Sequence, residues 1–409
     1  MRLAIEQLPA SLIREVANAG LGRSDVLPFW FGESDEATPA AVREAAAASL
    51  MRGETFYAHN LGLTELREGL AAYASALHGP VGVDRIAITS AGVTALMLAM
   101  QMLAGAGDEV VVVVPVWPNL TAQPAILGAN VKRVPLAPGV DGAWALDLQR
   151  LLDAVTPATK VLLVNAPNNP TGWTLSRAEQ QAILEHCRKT GTWVVADEVY
   201  ERVWFGVGGP GAELPQAGPT PSRGARAAGG PGANRSAPSF LDVAAPEDRL
   251  VVAQSFSKTF LMTGWRLGWL VLPPGHLDAI GKLIEFNSSC APVFVQRGAL
   301  AALDIEAEFV PGLVERLRAG RDLLIDGLKA LPGIHVARPA GGMYAFFRVE
   351  GQADSLAFAK HLVTAHGLGL APGVAFGDEA EGWLRWCFAA KDPARLRDGL
   401  GRLAGALGL

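Results

Sequence analysis

Residues 109–114 read Glu-Val-Val-Val-Val-Val, and this run constrains the fold more than any other feature of the chain. β-Branched side chains are stiff about χ1 and favour extended backbone. Successive residues of a strand point to opposite faces, so an unbroken valine run demands apolar cover above and below. A strand inside a parallel sheet, with helices packed on both sides, meets that demand.

The flanking sequence predicts such a sheet. Thr64–Leu77 places Leu66, Leu70, Tyr73 and Leu77 at helical spacing, and Thr94–Leu103 is an apolar helix. Short β-rich runs are expected at Arg85–Thr89, Lys160–Val164, Thr192–Ala196, Val251–Ala253 and Leu267–Leu272, with a helix at Ser176–Thr190. Strands alternating with helices predict an α/β fold with a mostly parallel central sheet flanked by helices. Beyond Leu272 the pattern turns helical, with one long stretch from Pro292 to Leu331. Two further runs, Gly342–Val349 and Leu384–Phe388, point to a smaller α+β domain.

Composition narrows the function classes. Half of the 409 residues are hydrophobic and 18% are charged, enough apolar surface for a large core. A net charge of −5 argues against a surface for nucleic acid or anionic membrane. Cys187, Cys290 and Cys387 are far apart and form no Cys-x-x-Cys, so neither a disulfide framework nor a metal site is expected. Ile86–Gly107 and Val110–Val131 each run 22 residues without a charge, yet Thr89, Ser90 and Gln101 in the first and three prolines in the second argue against a membrane span. Glu6 and Arg14 interrupt any signal-peptide core, so a cytoplasmic protein is expected. Residues 206–238 hold nine glycines and six prolines in 33 positions and are expected to form a disordered surface insertion.

The chemistry gathers at predicted strand ends, where open α/β sheets bind ligands. Ser90-Ala91-Gly92-Val93-Thr94 joins a strand to a helix and suits a phosphate at the helix N-terminus. Trp117 follows the valine strand and offers a flat aromatic face. Asn165-Ala166-Pro167-Asn168-Asn169-Pro170-Thr171-Gly172 and Asp197-Glu198-Val199-Tyr200 each follow an apolar run; taken singly, they read equally well as a turn and a strand terminator. Ser255-Phe256-Ser257-Lys258, with Arg266 eight residues on, sets an amine beside hydroxyls and a guanidinium. Burial would make that amine a nucleophile toward carbonyls. Ser255-x-x-Lys258 also matches the nucleophile motif of penicillin-binding proteins, but Lys189-Thr190-Gly191 precedes it and no Ser-Asp-Asn is present. Together an anion cradle, a stacking face, an acid, a phenol and a buried amine suit a planar, phosphorylated, pyridine-like cofactor.

With these motifs the sequence closely resembles the class I/II pyridoxal-phosphate aminotransferases of fold type I, the aspartate aminotransferase family. The likeness runs from Phe31-Gly32-Glu33-Ser34 through Asn165…Gly172 and Ser255…Arg266 to Trp383-Leu384-Arg385. It implies pyridoxal 5′-phosphate held as a Schiff base on Lys258, which also shuttles the proton. Asp197 would pair with the ring nitrogen, Tyr200 and Asn169 with the phenolic oxygen, and Trp117 would stack on the ring. Ala91, Gly92, Val93, Ser255, Ser257 and Arg266 would hold the phosphate, with Tyr57 reaching in from the neighbouring subunit of a homodimer. Gly32, Asn169 and Arg385 would bind the substrate, Arg385 gripping the α-carboxylate.

The family's ping-pong transfer from an L-amino acid to a 2-oxo acid is the implied activity; β-elimination (C–S lysis) and decarboxylation are the alternatives on the same fold. A ligand sensor is disfavoured because such proteins need a DNA-binding module, and little sequence precedes Gly32. Glu285–Cys290 lacks the arginine with which relatives that use dicarboxylic substrates bind the side chain, so a neutral or apolar donor is expected. Val93 stands where many relatives have a hydroxyl. The expected division is an N-terminal segment 1–45 associated with the small domain, a cofactor domain 46–285 and a small domain 286–409.

Overall fold

The computed structural model describes residues 1–206 and 236–409. Its central sheet has seven strands: β1 (Ile86–Thr89), β2 (Glu109–Val114), β3 (Asn130–Pro135), β4 (Thr159–Asn165), β5 (Trp193–Asp197), β6 (Leu250–Ser255) and β7 (Gly268–Val271). Their order across the sheet is β1-β7-β6-β5-β4-β2-β3. Only β7 runs against its neighbours, pairing antiparallel with β1 and β6. All the others therefore point the same way and end on one edge.

The valine run behaves as its chemistry requires. Val110, Val112 and Val114 join the apolar cluster on one face of the sheet, and Val111 and Val113 join the cluster on the other. All five are at most 1% exposed, and each contributes on the order of 1.5–3 kcal/mol of burial. Edge strand β3 carried no such pattern in the sequence. Only Val134 of it is buried, and its order comes from pairing with β2, Glu109 opposite Asn130 through Val114 opposite Pro135.

The helices that matter here are α1 (Leu12–Ala19), α2 (Thr64–His78), α3 (Gly92–Leu103), α4 (Arg177–Thr190), α5 (Leu277–Ser288), α6 (Val293–Asp304) and α7 (Glu306–Lys329). Ser176 and Glu179 start α4 with a reciprocal capping box, and Gly191 ends it in the left-handed conformation. α3 and α5 pack Leu96, Leu98, Met100, Ile280 and Ile284 into one face of the sheet. The single helical stretch expected from Pro292 to Leu331 is two helices, divided at Ile305.

A second sheet has four strands, β8 (Ile334–Val336), β9 (Tyr344–Val349), β10 (Ala371–Pro372) and β11 (Trp383–Cys387), in the order β8-β9-β11-β10. Its inner residues share the apolar cluster of Val111 and Val113, so one continuous core joins the two sheets. Among the described residues no helix is long and apolar enough to cross a membrane.

The insertion expected at 206–238 lies at 207–235 outside the described residues, but its far end is corrected. Ala237 is 1% exposed and its N–H donates to Glu201 O at 2.7 Å, while the Pro238 carbonyl accepts from Gln180 Nε2 at 3.0 Å. These contacts make 237 and 238 part of the folded body.

A buried charge cluster braces the same region. His78, in the last turn of α2, places Nδ1 2.9 Å from Asp242 Oδ1 and Nε2 3.0 Å from Glu201 Oε2. Burial opposes a charged imidazole, but Glu201, Asp242 and Glu198 outweigh it and raise His78 to about 10. A group raised in the folded state stabilises it fully below the unfolded value of 6.5, and that contribution fades as pH climbs to about 10. His78→Leu is therefore expected to lower unfolding stability by roughly 3–5 kcal/mol at pH 6. Denaturant titrations should show the gap between the two proteins narrowing toward pH 10, and a gap that stays constant or widens contradicts the charged cluster.

Candidate active site

Because the strands are parallel, Thr89, Val114, Asn165, Asp197 and Ser255 share one sheet edge; in the ladder Asn165 lies opposite Asp197, and Gly268 opposite both Thr89 and Ser255. A cavity of about 220 Å³ opens there.

Its floor is an anion cradle. α3 begins at Gly92, and the first N–H groups of a helix have no partner within it. Gly92, Val93, Ser255, Ser257 and Arg266 all line the cavity beside that helix end. Ser255 Oγ accepts from Ser257 N at 3.1 Å and lies 2.9 Å from Ser257 Oγ, which fixes the hydroxyl pair. Gly268 is required here, since a Cβ on it would lie 2.6 Å from Gly92 N and 2.7 Å from Gln254 O. Two non-glycine residues hold positive φ at the cradle, Ala91 at 141° and Arg266 at 53°. Such conformations cost on the order of 1–3 kcal/mol each and cluster at functional sites. Ala91 itself is buried behind the turn and does not line the cavity, so its part is to aim the helix start.

Lys258 and Asp197 face the same space, the lysine half-buried and the aspartate 2% exposed. Lys258 sits on a short helix, Phe256–Thr259, and its Nζ donates to Gly32 O at 2.5 Å. Burial pulls its ammonium down to about 8. The amine bonds to Gly32 and not to Ser255, which removes the pairing a serine nucleophile needs. Asp197 ends β5; burial pushes its carboxyl up to about 7, against a weak bond from Val199 N and the charge of Lys258.

The loop after β4 explains its asparagines. Asn165 donates to Asp197 O at 3.0 Å and accepts from Asn169 N at 2.7 Å. Asn168 accepts from Thr171 N at 3.0 Å and donates to Pro115 O at 3.3 Å. These bonds leave the Asn169 side chain turned to the cavity, where Oδ1 accepts from Arg385 at 2.9 Å.

Arg385 arrives from β11 of the second sheet. It is 2% exposed, bonds to Trp30 O as well, and holds its guanidinium carbon 4.4 Å above the Tyr344 ring. Its Nε is buried with no hydrogen-bond partner among the described residues, an unmet donor that a carboxylate satisfies. Trp117 and Tyr200 complete the predicted set in the cavity. Tyr57 is absent from it and is 89% exposed.

Sequence reasoning missed the walls. Ile13 of α1, Phe31, Leu96 and Val199 supply apolar surface, Asn165 and Thr263 also line the cavity, and Tyr344 places its hydroxyl 2.6 Å from that of Tyr200. Gly341-Gly342 before an aromatic strand was the signal available for Tyr344, and it reads equally as a plain strand start.

The residues present fit pyridoxal phosphate. Among the described residues, three cations (Lys258, Arg266, Arg385) and one acid (Asp197) line the cavity, which favours a phosphate and a carboxylate together. Asp197 is a buried carboxyl on which, among the described residues, the charge of Lys258 acts, and a protonated ring nitrogen would give it a direct partner.

Comparison with known proteins agrees. The sequence profile of the family described as "Aminotransferase class I and II" matches residues 24–403. The chain is 30% identical over 393 residues to a probable aspartate aminotransferase of Methanocaldococcus jannaschii, covering 94% of each. It is also 30% identical to an arginine–pyruvate transaminase of Pseudomonas aeruginosa, over 88% of this chain and 85% of that protein. The crystal structure of aspartate aminotransferase from Thermotoga maritima matches with a TM-score of 0.86 at 28% identity, covering 100% of both chains. The chain belongs to the class I and II aminotransferases, pyridoxal-phosphate-dependent enzymes that move an amino group from an amino acid to a 2-oxo acid.

Proposed function

We propose that this aminotransferase takes a neutral or apolar L-amino acid as donor, in a site completed by a second copy of the chain. The observation that carries the substrate reading is the wall composition. Among the described residues, every cation lining the cavity has a task on this reading: Lys258 takes the cofactor, Arg266 its phosphate and Arg385 the α-carboxylate. What remains beside them is Ile13, Phe31, Leu96 and Val199, which offer a substrate side chain apolar surface. The relatives' names point to aspartate and arginine as donors of those proteins, and this wall supports a different preference here.

Pyridoxal phosphate, bound there, supplies the electron sink for the bond broken at the α-carbon. The rest of the reaction falls to this chain's own groups. Asp197 holds a proton at the ring nitrogen, and its low-dielectric surroundings strengthen that ion pair. Tyr200 and Asn169 meet the phenolic oxygen, and Trp117 packs on the ring face. Gly92, Val93, Ser255, Ser257 and Arg266 bind the phosphate at the N-terminus of α3. Arg385 clamps the α-carboxylate with its planar fork. Lys258, lowered to about 8, is poised near neutrality to give and take the α-proton once free. On this reading residues 46–285 hold the cofactor, while 1–45 and 286–409 bring Gly32 and Arg385 to it.

Tyr57 supports the homodimer. Near it in sequence Leu50, Met51 and Phe56 are exposed apolar side chains, and Phe286 of α5 is 87% exposed. Exposed large apolar side chains of this kind suit an interaction surface, and a partner's Tyr57 reaching the phosphate accounts for that residue lying outside the cavity of its own chain.

Three measurements check these points. In a donor–acceptor screen following 2-oxo acid formation, leucine- or phenylalanine-like donors should exceed aspartate in kcat/KM by about tenfold or more; aspartate in first place contradicts the wall argument, and ammonia with pyruvate release marks elimination. Asp197→Ala should keep its fold and lose on the order of 10³-fold in rate, so unchanged kinetics would remove the aspartate from its role. Sedimentation should give a dimer for the native protein, and Tyr57→Phe should weaken phosphate-dependent cofactor affinity. A monomer with full activity rules the shared site out.

A further inference from the structure

Tyr200 and Tyr344 are both buried, 3% and 1% exposed, and their hydroxyl oxygens lie 2.6 Å apart. Their rings meet edge to face, centroids 5.7 Å apart at 75°. Each hydroxyl has one proton, so the pair permits two arrangements. If Tyr200 donates to Tyr344, Tyr200 presents only lone pairs to the cavity it lines. If Tyr344 donates, the Tyr200 proton is free to turn into the cavity.

The cations over the two rings favour the second arrangement. Arg385, always charged, lies with its guanidinium carbon 4.4 Å from the Tyr344 ring centroid, and a cation over the ring makes that O–H the better donor. Over the Tyr200 ring the facing cation is Lys258, farther away at 5.7 Å and engaged by the cofactor when it is bound. Burial raises both phenols, Tyr344 to about 12, and Arg385 pulls both the other way, from directly over the Tyr344 ring. The Tyr344 hydroxyl also has a reserved place. A Cβ on residue 32 would lie 1.9 Å from its oxygen, so the glycine leaves the room that puts this hydroxyl against Tyr200.

We propose that Tyr344 is a positioning residue: its hydroxyl donates to Tyr200 Oη and so fixes Tyr200 as a hydrogen-bond donor into the cavity, toward the phenolic oxygen of the cofactor. The inference rests on the cofactor-binding reading given above. A donor at that oxygen stabilises the anion left when the lysine-linked cofactor loses its proton, and so lowers the pH at which the visible absorbance titrates. Nothing in this role needs Tyr344 to touch the substrate, and the ring that supports Arg385 is kept in a phenylalanine.

The test is an absorbance titration of the holo-protein. Tyr344→Phe should raise the midpoint by about 0.5–1 pH unit, and Tyr200→Phe should raise it further. In the double variant the midpoint should equal that of Tyr200→Phe alone, because Tyr344 acts only through Tyr200. Gly32→Ala, which displaces the Tyr344 hydroxyl without changing either tyrosine, should shift the midpoint in the same direction. For Tyr344→Phe, kcat should fall while the donor KM stays within about twofold. An unshifted midpoint in Tyr344→Phe, or shifts that add in the double variant, overturns the proposal. A native protein that forms no titrating lysine-linked chromophore overturns the reading of the site and this inference with it.

Discussion

The candidate site depends on withdrawing Lys258, half-buried, and Asp197, buried, from bulk water at one edge of one sheet. Each group pays for burial in the loss of its charged form, the amine falling to about 8 and the carboxyl rising to about 7. Neither shift stabilises the fold. On the proposed reading both would become useful with the cofactor in place, Asp197 facing its ring cation and Lys258 its electrophilic carbon. The parallel sheet makes this arrangement possible: with five strand ends on one edge, a lysine following β6, an aspartate ending β5 and a helix start following β1 converge without any long loop.

The second sheet supplies what the first cannot. Arg385 on β11 and Tyr344 on β9 are neighbours across that sheet, Tyr344 lying opposite Cys387 and Phe346 opposite Arg385. Their stacked pair closes the cavity from the opposite side, with Arg385 reaching Asn169 and Tyr344 reaching Tyr200. The continuous apolar core beneath the two sheets ties this arrangement to the cofactor edge. On the proposed reading, substrate capture and cofactor tuning would share this one support.

How much of this the sequence disclosed follows from what each signal depends on. The valine run required a covered parallel sheet, and Gly92, Asp197 and Lys258 sat where strand ends could be read, whereas Gly32 and Arg385 were named only through the family resemblance; of the fourteen named site residues, twelve line one cavity and Ala91 and Tyr57 do not. Strand β3 escaped notice because an edge strand with one buried residue has no periodicity to read. Tyr344 escaped because its importance lies in a partner 144 residues away. His78 is similar: nothing local in a helix-end histidine foretells two carboxylates from elsewhere in the chain. Patterns set by neighbours in sequence were legible, and pairings set by the tertiary fold were not.

The central claim is that Lys258 is the residue to which the cofactor is bonded. Reduction of the native protein loaded with pyridoxal phosphate, followed by proteolysis and mass spectrometry, locates the bond directly. The account predicts a stable phosphopyridoxyl adduct on the peptide carrying Ser255-Phe256-Ser257-Lys258 and none on that peptide after Lys258→Ala. An adduct on a different lysine of the native protein, with Lys258 unmodified, would contradict it.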